Sequence, residues 1–573
     1  MTLQWYDDAM RSKRVALILL TAALVLPYFL NLGATSIIDA NEAFYTETPR
    51  EMMEAGDYVN PTFNYEPRVN KPPLSYWAVA ASYQVFGVSL GAARLPIVLG
   101  ALVILATAFA LGRIAFSSRA GVIAALTLAA TPRFLLFSRR IIIDVYTAMF
   151  LGLTLLFFVL AETQPQRRRR WLIAMYAATG LGVITKGPIA VVLPALVFLG
   201  YLIASRRFMT ITRMMLPAGF VIVSAIVVPY YALLYAQHGW EAISTFLMRE
   251  NLARYAEGLG APYRGPFFYL GVLFADLYFP WSLLLPVGFA LVPWRRVRRA
   301  GPEQQGDAGV PAPVSQESVR RLLGLWIVVI VVFFSLSKGQ QDLYILPCVV
   351  AAAALVGGVM DGWLSRQLSP RLTAVTKWTV GLVGVVLLAL GAGLLLLVGG
   401  VGDPIHLVGA APIGVVLCVA SVVGLTALFR RLPAAAFAAI GAGLVVGHWV
   451  LVLWALPDFE RYKPVPHLAR AIQQVAVPGD RVGTYRVGTP SLVFYLRRHV
   501  DQMFDVPEAS AFFKGPAAAY CVMPQEDYER TKALIGVPTS ILATSPRFDA
   551  QLGDFLYRRP LRNLVVVTNR ARP

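Results

Sequence analysis

Charged residues are scarce in this chain of 573 residues: only 14% are Asp, Glu, Lys or Arg, whereas 57% are hydrophobic. With a mean hydropathy of +0.62, this composition excludes an ordinary soluble globular protein and predicts a polytopic α-helical membrane protein. The net charge is +19. Because the basic residues stand in short clusters between apolar runs, they indicate membrane topology rather than binding to nucleic acid.

Cysteine is rarer still, with three residues in the chain. Cys348, Cys418 and Cys521 lie far apart, and two of them stand in apolar runs, so we expect neither a disulfide framework nor a metal site. A signal-peptide cleavage pattern is also missing at the N-terminus, and we therefore interpret the first apolar run as a permanent span.

Thirteen apolar runs are long enough to cross a bilayer, which takes roughly 20 helical residues. A borderline fourteenth run, 72–87, is short and carries a polar stripe. The strong basic clusters all fall on the inner side only if this run does not cross, so we interpret it as an interfacial helix; the alternative is an ordinary short span. The thirteen runs lie near 15–33, 90–115, 120–138, 143–162, 171–186, 187–205, 214–237, 267–292, 322–338, 343–363, 375–400, 406–429 and 433–457.

This topology places the N-terminus in the cytoplasm and two large segments outside. The first outside loop, 34–89, contains helix-like pieces near 41–56 and 72–87, and long loops with their own secondary structure are usually functional. The tail, 458–573, alternates helix-like stretches with short apolar runs, which predicts a small α/β domain. The tail has no match to a glycine-rich phosphate loop, so we expect a cover, specificity or scaffolding role there.

Ionisable residues form a layer at the outer interface instead of standing in the middle of the spans. Taken singly, a lysine or tyrosine at this level is an interfacial anchor, and the mid-span His448 is a helix–helix hydrogen-bond partner. Together, acids that position an acceptor and bases that hold a phosphate indicate a reaction between two lipid-bound groups, such as sugar transfer from a polyprenyl phosphate. The layer contains Glu42, Glu47, Arg50, Lys71, Asp144, Lys186, Glu250, Arg254, Arg264, Lys338 and Asp342, with Tyr45, Tyr65, Tyr255 and Tyr344.

Six stretches between residues 41 and 347 resemble the C-type membrane glycosyltransferases, a family close to protein mannosyltransferases, and are most similar to the branch that transfers 4-amino-4-deoxy-L-arabinose (aminoarabinose) to lipid A. The resemblance implies about thirteen transmembrane helices. It also implies a transmembrane catalytic domain at 1–457 and a periplasmic α/β domain at 458–573. The six stretches are NEAFYTETPREMMEAGDYVNPTFN, NKPPLSYWAVAASYQVFG, FSRRIIIDVYTAMFLG, ITKGPIAVVLP, RENLARYAEG…RGPFFY and SKGQQDLYILP.

The resemblance also implies an activity: transfer of aminoarabinose from undecaprenyl phosphate to a phosphate of lipid A, at the periplasmic face of the bacterial inner membrane, with resistance to polymyxin as the consequence. The implied partners are the donor lipid, lipid A and membrane lipids, without nucleic acid, cofactor or metal. One alternative is another polyprenyl-phosphate sugar transferase that acts on protein or on a different glycan. The other, from a different class, is a lipid or drug transporter, which would carry ionisable groups near the membrane midplane.

The chain departs from this family at one position. The family's first loop reads Asp-Glu-x-x-Tyr, and its first acid is taken as catalytically essential, but here the same slot reads Asn41-Glu42-Ala43-Phe44-Tyr45. An amide neither carries negative charge nor acts as a base. Three explanations are open: an engineered replacement of Asp by Asn that traps a substrate complex, takeover of the role by Asp39, or a lineage that does not need the acid. We favour the first.

Carried over position by position, the resemblance assigns nine site residues. The predicted catalytic residues are Asn41 in the slot of the essential acid, Glu42 as its partner acid, and Asp144 as the second acid of the family pattern. The residues predicted to bind the donor phosphate and the anionic acceptor are Tyr45, Lys71, Lys186, Arg254, Lys338 and Tyr344.

Overall fold

A helix or a bent pair of helices occupies each of the thirteen predicted apolar runs in the computed structural model. Asp39, the proposed substitute for the acid at position 41, lies outside the described part of the chain. The structure describes residues 15, 19–37, 40–294, 313–398, 407–548 and 561–570.

Eight helices in the described ranges are long and apolar enough to cross a membrane. The predicted polytopic helical architecture is therefore confirmed, whereas the count of thirteen crossing helices stays a prediction. Two shorter apolar helices, Leu19–Phe29 and Ile189–Ser205, and the helix Arg168–Lys186 lie at three further predicted runs. The eight helices are Leu90–Ala115, Ile143–Thr163, Leu216–Ala256, Gln316–Ser335, Asp342–Leu364, Pro370–Leu396, Val408–Phe429 and Pro433–Tyr462.

Two predicted spans are broken into bent helix pairs. Ser118–Ala129 and Pro132–Ser138 meet at 70°, and Phe268–Leu277 and Trp281–Ala290 meet at 117°. The first break has a local cause, because the residue before a proline is disfavoured in the helical conformation. Thr131, which precedes Pro132, accordingly has φ −81° and ψ 119°.

The centre of the bundle is the helix Asp342–Leu364, of whose apolar window 89% is buried. Small side chains allow its neighbours to approach closely, as is usual between membrane helices. At Gly357, an added Cβ would lie 2.3 Å from the carbonyl oxygen of Ala120. Near the start of this helix the indole nitrogen of the fully buried Trp326 donates to the carbonyl of Pro347 at 2.9 Å.

The first outside loop has the two predicted helices, at Ala40–Ala55 and Leu74–Phe86. A two-stranded antiparallel hairpin, β1 (Thr62–Phe63) and β2 (Glu66–Pro67), lies between them. The second helix has 13 residues, or about 20 Å at ~1.5 Å per residue, which is too short to cross a hydrocarbon core of about 30 Å. Its length therefore favours the predicted interfacial placement.

The C-terminal unit (residues 464–548 and 561–570) is an α/β structure, as its alternating pattern predicts. Its strands are β3 (Arg481–Tyr485), β4 (Asp501–Met503), β5 (Ala519–Pro524), β6 (Ser540–Arg547) and β7 (Arg562–Thr568). They form a mixed sheet of order β4-β3-β5-β7-β6, in which β3 is parallel to β4 and β5, and β7 is antiparallel to β5 and β6. The helices of this unit are Pro464–Val475, Ser491–Leu496, Val506–Lys514 and Gln525–Ile535.

Candidate active site

A cavity of ≈ 640 Å³ gathers most of the predicted site residues, and its size is within the range of small-molecule sites. Its walls come from the first loop, from the beginning of helix Ile143–Thr163, from the turn after helix Arg168–Lys186, from the C-terminal part of helix Leu216–Ala256 and from residues 333–347 around the beginning of helix Asp342–Leu364. Seven of the nine predicted residues line it: Asn41, Tyr45, Lys71, Asp144, Lys186, Arg254 and Tyr344.

At one end of the cavity, two cationic side chains form ion pairs with the same carboxylate. The Nζ atom of Lys71 lies 3.0 Å from Oε2 of Glu250, and Nη2 of Arg254 lies 3.2 Å from the same oxygen. Burial lowers the pKa of Lys71, and the attraction of Glu250 opposes that shift. Because one carboxylate serves two cations, this end has a surplus of positive charge that suits an anion such as a phosphate.

A second ion pair joins Asp144 to Lys186 across the cavity. Asp144 stands in the first turn of helix Ile143–Thr163, and Lys186 is the last residue of helix Arg168–Lys186, so each charge is favoured by the dipole of its own helix. The ammonium of Lys186 also lies 5.0 Å from the ring centroid of Tyr344, within range of a cation–π contact.

The glycine after Lys186 directs this lysine into the cavity wall. Gly187 has φ +106°, and a Cβ there would lie 2.8 Å from the ring of Phe246. Only glycine meets both requirements, the left-handed backbone and the close approach. The helix therefore ends at Lys186 and leaves its side chain beside Asp144.

Asn41 and Tyr45 reach the cavity from helix Ala40–Ala55, where a spacing of four residues puts them on one face. Asn41 is exposed, whereas Tyr45 is buried and its ring stacks on that of Tyr76 with the centroids 5.3 Å apart. The slot of the family's essential acid therefore opens into the cavity.

Glu42 does not line the cavity. It is 1% exposed, and its Oε1 accepts a hydrogen bond from Nε of Arg94 at 2.7 Å. Arg94, fully buried, also donates to the carbonyls of Leu32, Thr35 and Ser36. This placement supports a structural role, in which Glu42 fixes the chain that leads to Asn41. The pair was not predicted from the sequence, because Arg94 stands in an apolar run 52 residues after Glu42.

Lys338 also lies outside the lining. Its side chain is exposed, and its backbone N–H donates to the carbonyl of Tyr255 at 2.9 Å. The neighbouring Ser337 lines the cavity instead. The motif thus locates the correct loop but not the side chain that faces inward.

Glu250 is the charged cavity residue to which sequence reasoning gave no role, although it appears in the outer layer of ionisable residues. Its spacing of four residues from Arg254 was the available signal, because such pairs face each other on a helix. Four polar residues that the motifs did not single out also line the cavity: Thr147, Asn251, Ser337 and Gln341.

The rest of the lining is mainly apolar. Val192, Met248 and Leu252 line the cavity and are also 38%, 54% and 58% exposed. Side chains with both properties show that the cavity reaches the outer surface of the helix bundle. One continuous site therefore joins a charged end to an apolar side opening.

Replacing Glu42 by alanine should destabilise the protein by about 3–5 kcal/mol, the usual effect of removing one partner from a buried ion pair. The matched control is Glu54→Ala, because Glu54 pairs with Arg50 but its side chain is 56% exposed, where an ion pair contributes at most about 1 kcal/mol. Thermal unfolding of the two purified variants measures the difference. Equal melting temperatures would contradict the structural role.

The chain is similar in sequence to known glycosyltransferases. The family described as dolichyl-phosphate-mannose-protein mannosyltransferase matches residues 70–232. The undecaprenyl phosphate-α-4-amino-4-deoxy-L-arabinose arabinosyl transferase of Pseudomonas savastanoi pv. phaseolicola is 30% identical over 457 residues, which cover 78% of this chain and 79% of that relative. Arabinosyl transferase 1 of Pseudomonas fluorescens strain Pf0-1 is 28% identical, with 65% of this chain and 62% of the relative covered.

The fold is similar to that of a solved structure, ArnT from Cupriavidus metallidurans bound to undecaprenyl phosphate. The TM-score is 0.77 at 23% sequence identity, and the match covers 97% of this chain and 98% of that one. This likeness confirms the predicted C-type glycosyltransferase fold. With the sequence matches, it shows that the chain belongs to the glycosyltransferase family of the undecaprenyl phosphate-aminoarabinose arabinosyl transferases.

Proposed function

We propose that this chain transfers aminoarabinose from undecaprenyl phosphate to a phosphate of lipid A at the periplasmic face of the bacterial inner membrane. The observation that carries the proposal is a cavity that joins a cationic end to an apolar side opening. A lipid-linked sugar phosphate has the matching chemistry, with an anionic group next to a long hydrocarbon chain. The names of the relatives support this donor.

In this proposal the donor phosphate binds between Lys71 and Arg254, and the isoprenoid chain lies along the apolar wall. The two cations stabilise the negative charge that the phosphate gains when its bond to the sugar breaks. They are held in place by Glu250 before the substrate arrives, so little reorganisation is needed. Desolvation of this end strengthens the attraction for an anion.

The acceptor is itself a phosphate, whose second pKa lies near ~6. One of its oxygens is therefore already anionic at neutral pH and attacks the anomeric carbon of the sugar as the bond to the donor phosphate breaks. No proton has to be removed from this nucleophile. The carboxylates of Asp144 and Glu250 then serve to orient the groups and to hold the sugar's ammonium.

The product explains the physiology that we propose. Aminoarabinose adds a positive charge to lipid A and masks a phosphate. The outer surface becomes less negative, so cationic peptides such as polymyxin bind it less strongly.

The test is transfer by the purified full-length chain from undecaprenyl phosphate-aminoarabinose, with lipid A and a serine-rich peptide as separate acceptors and mass spectrometry as the readout. We expect modified lipid A and an unmodified peptide. The match of residues 70–232 to protein mannosyltransferases makes the peptide the informative competitor. Modified peptide would indicate a protein glycosyltransferase, and lipid movement without covalent product would indicate a transporter.

A further inference from the structure

The hairpin in the first loop adopts a strained turn. Asn64 and Tyr65, the two residues between β1 and β2, have φ of +59° and +63°. Both positions of such a turn favour asparagine or glycine, and a bulky residue in this conformation persists only where its surroundings hold it. The contacts of the hairpin show what holds it.

Asn64 is clasped to the C-terminal unit. Its Nδ2 donates to the carbonyl of Val500 at 3.0 Å, and the N–H of Val500 donates back to its Oδ1 at 2.8 Å. The neighbouring Phe63 is 8% exposed and belongs to the hydrophobic core of the C-terminal unit, with Leu468 and Leu496. A hairpin of the first loop is thus built into a unit more than 400 residues away.

The same hairpin is tied to the helix that carries Asn41. Glu51, which is 2% exposed, accepts hydrogen bonds from the Thr62 hydroxyl at 2.6 Å and from the N–H of Tyr65 at 3.1 Å. The Tyr65 hydroxyl donates to the carbonyl of Arg497 at 3.2 Å. The hairpin is therefore fixed on two sides.

Lys71 follows the hairpin by only four residues, and a chain of that length spans at most about 14 Å. A hydrogen bond also fixes the chain between the hairpin and Lys71, because the N–H of Arg68 donates to the carbonyl of Pro61 at 2.8 Å. The Arg68 guanidinium lies 3.5 Å from the ring centroid of Phe44, whose ring packs edge-on against Phe63. These contacts fix the position of the chain at Arg68, three residues before Lys71.

We infer that the C-terminal unit takes part in donor binding by holding this hairpin, and that Asn64 is a positioning residue that acts through Lys71. Asn64 does not line the cavity, so the role we infer for it is to position Lys71 and not to contact the donor. The inference rests on the proposed function, in which Lys71 binds the donor phosphate. It gives the C-terminal unit a role in the affinity of the site rather than in covering it.

The test uses Asn64→Gly in the full-length chain, because glycine keeps the turn and removes only the clasp. We expect the dissociation constant for undecaprenyl phosphate to rise about tenfold, the effect of losing a buried hydrogen-bond pair. The matched control is Asn569→Gly. Asn569 makes an equivalent clasp inside the C-terminal unit, to Ala519 and Phe513 at 2.9 and 2.8 Å, and its replacement should change the affinity less than about twofold.

A double mutant separates positioning from general destabilisation. In a Lys71→Gln background, Asn64→Gly should weaken binding by less than about twofold, because residues that act through one group are not additive. A full tenfold loss in that background, equal losses in Asn64→Gly and Asn569→Gly, or unchanged affinity in Asn64→Gly would overturn the inference. If the unmutated chain binds no undecaprenyl phosphate, the proposed donor site itself is overturned.

Discussion

Replacing Lys71 by alanine is expected to weaken the binding of undecaprenyl phosphate about a hundredfold, since removing one partner of a buried charge pair in a complex costs about 2–5 kcal/mol. The structural reason is that Lys71 and Arg254 share one carboxylate, so Lys71 supplies the surplus charge. Titration of the purified chain with undecaprenyl phosphate measures the loss. Lys338→Ala is the control, because this exposed lysine lies outside the cavity and should change the affinity less than about twofold.

The affinity should also depend on pH in a defined direction. Burial lowers the pKa of Lys71, so in the empty site this lysine loses its proton at a lower pH than an exposed lysine does. Bound phosphate favours the protonated form, and affinity therefore falls as the pH rises through the pKa of the empty site. Lys71→Arg should remove this alkaline loss, because arginine stays protonated. A loss of the same steepness in Lys71→Arg would show that another group titrates.

Restoring an acid at position 41 is expected to raise the rate of sugar transfer by about a hundredfold, the size of effect that a group which orients a reactant can have. Three cationic side chains and two carboxylates line the described part of the cavity. Asn41→Asp would add a third carboxylate and make the numbers of positive and negative side chains equal. The new carboxylate would stand in the first turn of helix Ala40–Ala55, where the helix dipole stabilises its charge. Mass spectrometry of lipid A from cells that express each form measures the gain.

The control for this substitution is Asn251→Asp, which adds the same charge to the same cavity from another wall and should produce no gain. Equal activity of the unmutated chain and the Asn41→Asp variant would show that this lineage does not need the acid. A loss of activity in Asp39→Asn would instead assign the role to Asp39. The three explanations for the amide are thus separable.

Much of the site could be predicted from the sequence because its residues stand in short motifs. Lys71, Asp144 and Lys186 each occupy a polar position at the edge of an apolar run, whereas Arg254 stands beyond such a run in the motif RENLARYAEG. Such positions have few explanations other than anchoring or function. The runs themselves predicted the long apolar helices in the described part of the chain, because about 20 apolar residues in succession are a strong signal. Short motifs and apolar runs are both local properties of the chain.

Contacts between distant segments could not be predicted in this way. The pairing of Glu42 with Arg94 depends on how two helices meet, and the clasp of Asn64 on Val500 joins residues 436 positions apart. A single sequence does not show which distant residues lie close together in the fold. Lys338 shows a second limit. Its motif predicted which loop reaches the site, but it could not predict which side chain of that loop faces the cavity.

The side opening at Val192, Met248 and Leu252 has a consequence for how the enzyme meets its substrates. Under the proposed function, the lipid donor reaches the charged end by lateral diffusion within the leaflet and does not have to leave it for water. Occupancy is then governed by the surface density of the donor, in molecules per unit area of membrane, and not by its amount per litre. Diluting the donor with inert lipid would slow the reaction even though the total quantity in the tube stayed the same.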